Sequence, residues 1–257
     1  MSVLRIERRD RVAILTFDDP DRRNVVSDEM NEELLAAFDD LESDDGIGAV
    51  VLTGAGRAFC AGAVLDDLLE AGEGDSEGSL PDIYRGFLRV AHTTLPTVAA
   101  VNGAAVGAGM NMVLACDLVV ADETVKVAVS EARIGINAVD IPLKLARKLG
   151  YAKAFALLAP GDAKDAAWCQ AAGLVEIVTP AGQAQSRAFE LATDIAQSCA
   201  PLAVQAQKET LWRAVFEDEA AGRRAGMNWR ELTRSSRDYA EGQTAFIERR
   251  KPIFTGK

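Results

Sequence analysis

Hydrophobic and polar positions along the chain fall into two periods. Short apolar runs at Val12-Ala-Ile-Leu-Thr-Phe17, Ala49-Val-Val-Leu-Thr53, Thr97-Val-Ala-Ala-Val101, Leu118-Val-Val-Ala121 and Val125-Lys-Val-Ala-Val129 predict buried strands. Between the first two, Ser27 is placed to cap a helix, with Asp28 and Glu29 in its first turn and Met30, Leu34, Phe38 and Leu41 on one face. From Pro142 onward the pattern is almost wholly helical, apart from a strand expected at Val175-Glu-Ile-Val178. Residues 201–251 read as two or three amphipathic helices with few partners of their own. The alternation implies an α/β core over residues 1–200 and a helical appendage over 201–257.

Two of the strands run into small-residue turns that then become helical. One turn is Gly54-Ala-Gly-Arg-Ala-Phe-Cys-Ala-Gly-Ala63, before the helix-like Val64-Leu-Asp-Asp-Leu-Leu69; the other spans Gly103 to Gly109. Amides at a helix start are unpaired and carry partial positive charge, so two such turns offer donors to an oxygen that gains charge during reaction. Neither turn completes a dinucleotide fingerprint: Phe59 and Met112 stand where a third glycine is required, and no GxxxxGK follows.

Composition narrows the classes. A net charge of −11 argues against broad binding to nucleic-acid phosphates. Charge is uneven, with 11 Lys/Arg against 8 Asp/Glu in residues 203–257 and 17 against 31 before them, so an anionic ligand needs a local basic spot. Arg22, Arg23, Lys126 and the Arg249-Arg-Lys251 run are the candidates. Cys60, Cys116, Cys169 and Cys199 form no close pair and no metal-like spacing with His92, the single histidine. With no apolar stretch of spanning length, the chain is expected to be a soluble cytoplasmic protein that binds no membrane. The acidic, Gly/Ser-rich run Glu70 to Ser79 is expected to form a loop, either a lid or plain surface.

Several blocks resemble, in order and spacing, the crotonase superfamily, the enoyl-CoA hydratase/isomerase family. They are Arg22-Arg-Asn24, Thr53 to Ala63, Val101-Asn-Gly-Ala-Ala-Val-Gly-Ala-Gly109, Ala115-Cys-Asp117, Glu131-Ala-Arg-Ile-Gly135 and Phe246-Ile-Glu-Arg-Arg-Lys-Pro252. The resemblance implies a crotonase-like α/β spiral of ββα units with a C-terminal helical trimerisation region, assembled as a homotrimer or hexamer. It implies an acyl-CoA or enoyl-CoA thioester as substrate, with no metal and no further cofactor. It places the oxyanion amides at Ala63 and Ala108, and CoA contacts at Arg22, Arg23, Val25, Ala61, Phe246 and Lys251.

Proton transfer is where the chain departs from the family's hydratases, which carry two glutamates. The first position is Asn111, whose carboxamide orients water but shuttles no proton near neutral pH; the second is Glu131, four residues before Gly135. The glycine-rich loop that follows in hydratases reads Ile136-Asn-Ala-Val-Asp-Ile-Pro142 here, one residue shorter. Asp140 in that loop either supplies a replacement carboxylate or caps the helix holding Leu143, Leu145, Ala146 and Leu149, and the cap is the favoured reading. Three functions follow as expectations: a single-glutamate enoyl-CoA isomerase-type enzyme first, a hydratase with an altered acid/base set second, and an acyl-CoA binding protein without chemistry third.

Overall fold

The structure is a computed structural model that describes residues 2–63 and 85–257. The helix-like Val64–Leu69 and the Glu70–Ser79 run lie outside the described residues. Among the described residues there are two sheets. The larger holds β1 (Leu4–Arg9), β2 (Val12–Phe17), β3 (Ala49–Gly54), β5 (Thr97–Val101), β7 (Leu118–Asp122) and β10 (Ile177–Thr179), in that spatial order. All its pairings are parallel except β1 with β2. The smaller sheet orders β4 (Ala58–Cys60), β6 (Ala104–Val106), β8 (Lys126–Ala128) and β9 (Lys164–Asp165).

The two orders share one cause. Each of β3, β5 and β7 turns within a few residues into β4, β6 and β8, so the chain steps from the larger sheet to the smaller three times in the same sense. After the second and third steps come α3 (Ala108–Ala115) and the short 3-10 turn Glu131–Ile134. This ββα spiral is the crotonase-like α/β fold.

The apolar runs are uninterrupted because β2, β3 and β5 are buried on both faces. One face meets α1 (Asp28–Ser43), where the Ser27 side chain accepts from Met30 N and Met30, Leu34, Phe38 and Leu41 are buried as the periodicity requires. The other face meets α7 (Ala184–Ser198) through Ala184, Ala188, Ala192 and Ala196, whose four-residue spacing makes one smooth stripe against Val12, Ile14, Val51, Val98 and Val120.

Three elements differ from the sequence expectation. β1 was not expected, because its side chains after Leu4 are all exposed and an edge strand with one wet face gives little apolar signal. The small-residue turns each contain a three-residue strand, β4 and β6, too short for a periodic signal. The last strand of the larger sheet sits at Ile177–Thr179, where the Thr179 hydroxyl reaches Ala121 O.

The remaining helices are α2 (Arg85–His92), α4 (Asp140–Leu149), α5 (Tyr151–Leu158), α6 (Ala166–Ala172), α8 (Pro201–Phe216), α9 (Glu219–Arg234) and α10 (Arg237–Glu248). Lys208 fastens α8 to the spiral, donating to Asp117 Oδ2 at 2.7 Å and Leu95 O at 2.8 Å. Asp117 is itself held by the Thr97 amide and hydroxyl. Among the described residues no helix is long and apolar enough to cross a membrane.

Candidate active site

The smaller sheet delivers three groups to one place. Its neighbouring parallel strands β4, β6 and β8 end, respectively, at Ala61–Ala63, at Gly107–Ala108 and at Ser130–Glu131. Carboxyl ends of parallel strands are where α/β sheets open to ligands.

Close backbone approach joins the first two ends. Gly62 has φ +112°, and a Cβ there would lie 3.1 Å from Val106 O and 4.0 Å from Ala108 N, so the turn bearing Ala63 lies against the turn bearing Ala108. Gly107, at φ +52°, donates its amide to Ala128 O at 3.0 Å, which ties the second turn to the end of β8. Ala108 is the first residue of α3, and no main-chain acceptor for its amide or for that of Ala63 is found among the described residues.

Glu131 completes the arrangement. A Cβ placed on Gly107 would meet Glu131 Oε1 at 2.7 Å, so the carboxylate lies directly over the residue before Ala108. Its Oε2 is buried and has no hydrogen-bond partner among the described residues. Burial raises the Glu131 pKa, against smaller lowering contributions from the Glu131 and Ser130 main chain. A half-buried carboxylate of raised pKa is chemically able both to remove and to return a proton.

Asn24 steadies the first turn. It is fully buried at φ +57°, its Nδ2 donates to Ala55 O and Ala58 O at 3.0 and 2.9 Å, and its Oδ1 accepts from Asp19 N. Asn24→Ala is expected to cost about 3 kcal/mol by leaving these buried groups unpaired, a loss that urea unfolding measures. The preceding segment runs beside the turn: Ala61 N donates to Arg23 O at 3.0 Å and Val26 N to Gly62 O at 2.8 Å. Arg22, Arg23, Val25 and Ala61 are thus brought together, whereas Phe246, 86% exposed, and Lys251 make no hydrogen bond or ion pair with that segment. Arg250, next to Lys251 in the chain, is paired with Glu241 and Glu248.

Asp140 requires a correction. It does not cap: Val139 holds the cap position of α4 without a side-chain bond, and Asp140 is the first helical residue. The reason is Lys144, one turn on, whose Nζ lies 2.6 Å from Asp140 Oδ2 and also donates to Asn111 Oδ1 at 2.8 Å. Lys144 was not among the residues expected from sequence, since a lysine on a helix reads as a solvated group. His92 ends α2 and its ring meets Trp212 edge-on at 5.0 Å. Burial pushes the Cys60 thiol up to about 12, which removes it as a nucleophile near neutral pH.

A separate cleft of about 480 Å³ at the carboxyl ends of the larger sheet is lined by Thr16, Thr53, Asn102, Asp122 and Gln185. Its principal polar groups are spoken for: Thr53 donates to Ala100 O, Asn102 to Gly56 O, and Asp122 accepts from Gln183 and Ala184 amides.

Residues 7–257 match the family model described as enoyl-CoA hydratase/isomerase. The chain belongs to the enoyl-CoA hydratase/isomerase family. A Thermus thermophilus relative named "Putative enoyl-CoA hydratase" is 40% identical over 246 residues, covering 95% of this chain and 97% of that one. The 2,3-dehydroadipyl-CoA hydratase of Escherichia coli is 33% identical, each chain covered completely. A solved enoyl-CoA hydratase from Bacillus anthracis superposes with a TM-score of 0.90 at 29% identity, covering 99% of this chain and 100% of that one.

Proposed function

We propose that this protein acts on acyl-CoA thioesters through an enolate, its oxygen gripped by the Ala63 and Ala108 amides, with Glu131 as the one carboxylate that carries the proton. The reaction is a single-glutamate, enoyl-CoA isomerase-type transfer. Glu131 removes a proton from C2 of a 3-enoyl thioester, the electrons of that C–H bond move into the enolate, and the same proton is returned at C4 as the double bond settles at C2–C3. The observation that carries this reading is Glu131 lying over Gly107, its Oε2 without a partner among the described residues, while Asn111 Oδ1 is held by a cation. An oxygen so engaged is a poor base toward water.

The second reading, a hydratase with an altered acid/base set, is favoured by the full-length similarity to the 2,3-dehydroadipyl-CoA hydratase. Turnover of 3-hexenoyl-CoA against hydration of crotonyl-CoA decides between them. Asn111→Glu is expected to raise crotonyl-CoA hydration about tenfold, short of the 10²–10⁴ a free acid/base group gives, because Lys144 will pair with the new carboxylate. An already fast native hydratase that gains nothing supports the second reading; thioester binding without any turnover supports a binding protein.

The segment of Arg22, Arg23, Val25 and Ala61 is read as the CoA contact, by main chain and by the guanidinium groups. Residues 201–257 are read as the oligomerisation region of a trimer or hexamer. In support, α8 buries no residue within the chain, and Leu211, Met227, Phe246, Ile247 and Ile253 are all exposed. In such an assembly Phe246 and Lys251 reach a neighbouring subunit's ligand.

A further inference from the structure

Packing does little to anchor the turn that carries Glu131. Ala132 to Asn137 are all exposed, and the 3-10 turn Glu131–Ile134 buries no side chain. The apolar anchors lie outside it, at Val129 before and Ala138 after. Main-chain bonds close the turn on itself, from Arg133 N to Ser130 O at 2.9 Å and from Ile136 N to Glu131 O at 3.0 Å, so they fix its shape and not its aim. Among the described residues, Arg133 is the only side chain from Ser130 to Val139 with a hydrogen bond or ion pair to residues outside that stretch.

Arg133 reaches the loop that follows α5. Its Nε donates to Pro160 O at 2.8 Å, its guanidinium pairs with Asp162, and its stem lies on Gly161, where a Cβ would stand 3.2 Å from Arg133 Cγ. Gly161 sits at φ +61°, a conformation and a closeness that suit glycine. Just beyond, Lys164 of β9 pairs with Val127 of β8. The contacts therefore close a ring: β8 leads into the Glu131 turn, Arg133 returns to the loop, and the loop runs into β9 beside β8. A turn held at both ends of such a ring keeps its direction.

We propose that Arg133 is a positioning residue for the proton transfer: its grip on Pro160 and Asp162 aims the Glu131 carboxylate over Gly107, beside the amides of Ala63 and Ala108. The proposal rests on the enolate reading above, in which one carboxylate does all the proton transfer and no second one makes good its misplacement. A shift of about 1 Å in a reacting group costs up to about 100-fold in rate. The tether adds little to global stability, because both partners of its ion pair are exposed. Its effect is local and falls on the chemical step.

Steady-state turnover of 3-hexenoyl-CoA by the full-length chain, followed as a function of pH, tests this. Arg133→Ala is expected to lower kcat about tenfold, to change KM by less than about twofold, and to melt within about 2 °C of the native protein. The rising limb of its pH–rate profile should move to lower pH, because a carboxylate freed from its seat is better hydrated and burial is what raises the Glu131 pKa. Asp162→Ala, which leaves Arg133 its bond to Pro160, should lower kcat about threefold, and adding it to Arg133→Ala should cost nothing more, since both cut one tether. Native kcat in Arg133→Ala, a pH profile that does not move, or losses that multiply in the double variant overturns the proposal; with Glu131→Gln inactive, the enolate reading then still stands. Native turnover in Glu131→Gln overturns both.

Discussion

Replacing Glu131 by Gln is expected to lower kcat by about 100- to 10,000-fold with little change in KM, because the amide keeps the shape of the side chain and loses only its ability to carry a proton. Turnover of 3-hexenoyl-CoA measures it. A variant that retains native kcat removes the proposed mechanism. The native rate should rise with pH through a value above the ordinary carboxylate range, since burial raises the Glu131 pKa and only the ionised form accepts a proton. That profile should be absent from the variant.

Stability should move the other way. A carboxyl whose folded pKa is raised binds its proton more tightly in the native than in the unfolded state. Glu131 therefore lowers stability progressively as pH rises from the unfolded pKa, near the usual 4.5, through the raised folded value. Glu131→Gln is thus expected to melt above the native protein at pH 7 and together with it in acid, as the cost of a half-buried charge is relieved.

Gly107→Ala is expected to cost about 100-fold in kcat/KM. The added methyl would stand 2.7 Å from Glu131 Oε1, so the carboxylate must move, and the backbone at φ +52° suits no side chain. Displacement of a reacting group by about 1 Å is enough for a loss of that size, and the backbone strain adds about 1–3 kcal/mol of instability. Far-UV circular dichroism should show the fold retained. Full activity in this variant means that Glu131 does not work from its observed position.

Much of this was legible in the residues because burial on both faces writes continuous apolar runs, and β2, β3 and β5 carry them. Glu131 was legible through its four-residue spacing from Gly135 and Ala108 through its glycine neighbours, patterns shared with the family. Lys144 was not. Nothing local separates a lysine that spans two helices from one that points to water, and only the approach of α4 to α3 makes the difference. Asp140 was misread for the same reason: a carboxylate at a helix start has a ready local explanation, and a side chain one turn away competed successfully for it.

The three-strand origin of the site separates what is shared from what varies. Both amides leave β4 and β6, while Glu131 and the short loop after it leave β8. A relative's segment grafted over residues 129–142 would therefore exchange the proton donors and acceptors while leaving the strands that carry Ala63 and Ala108 as they are.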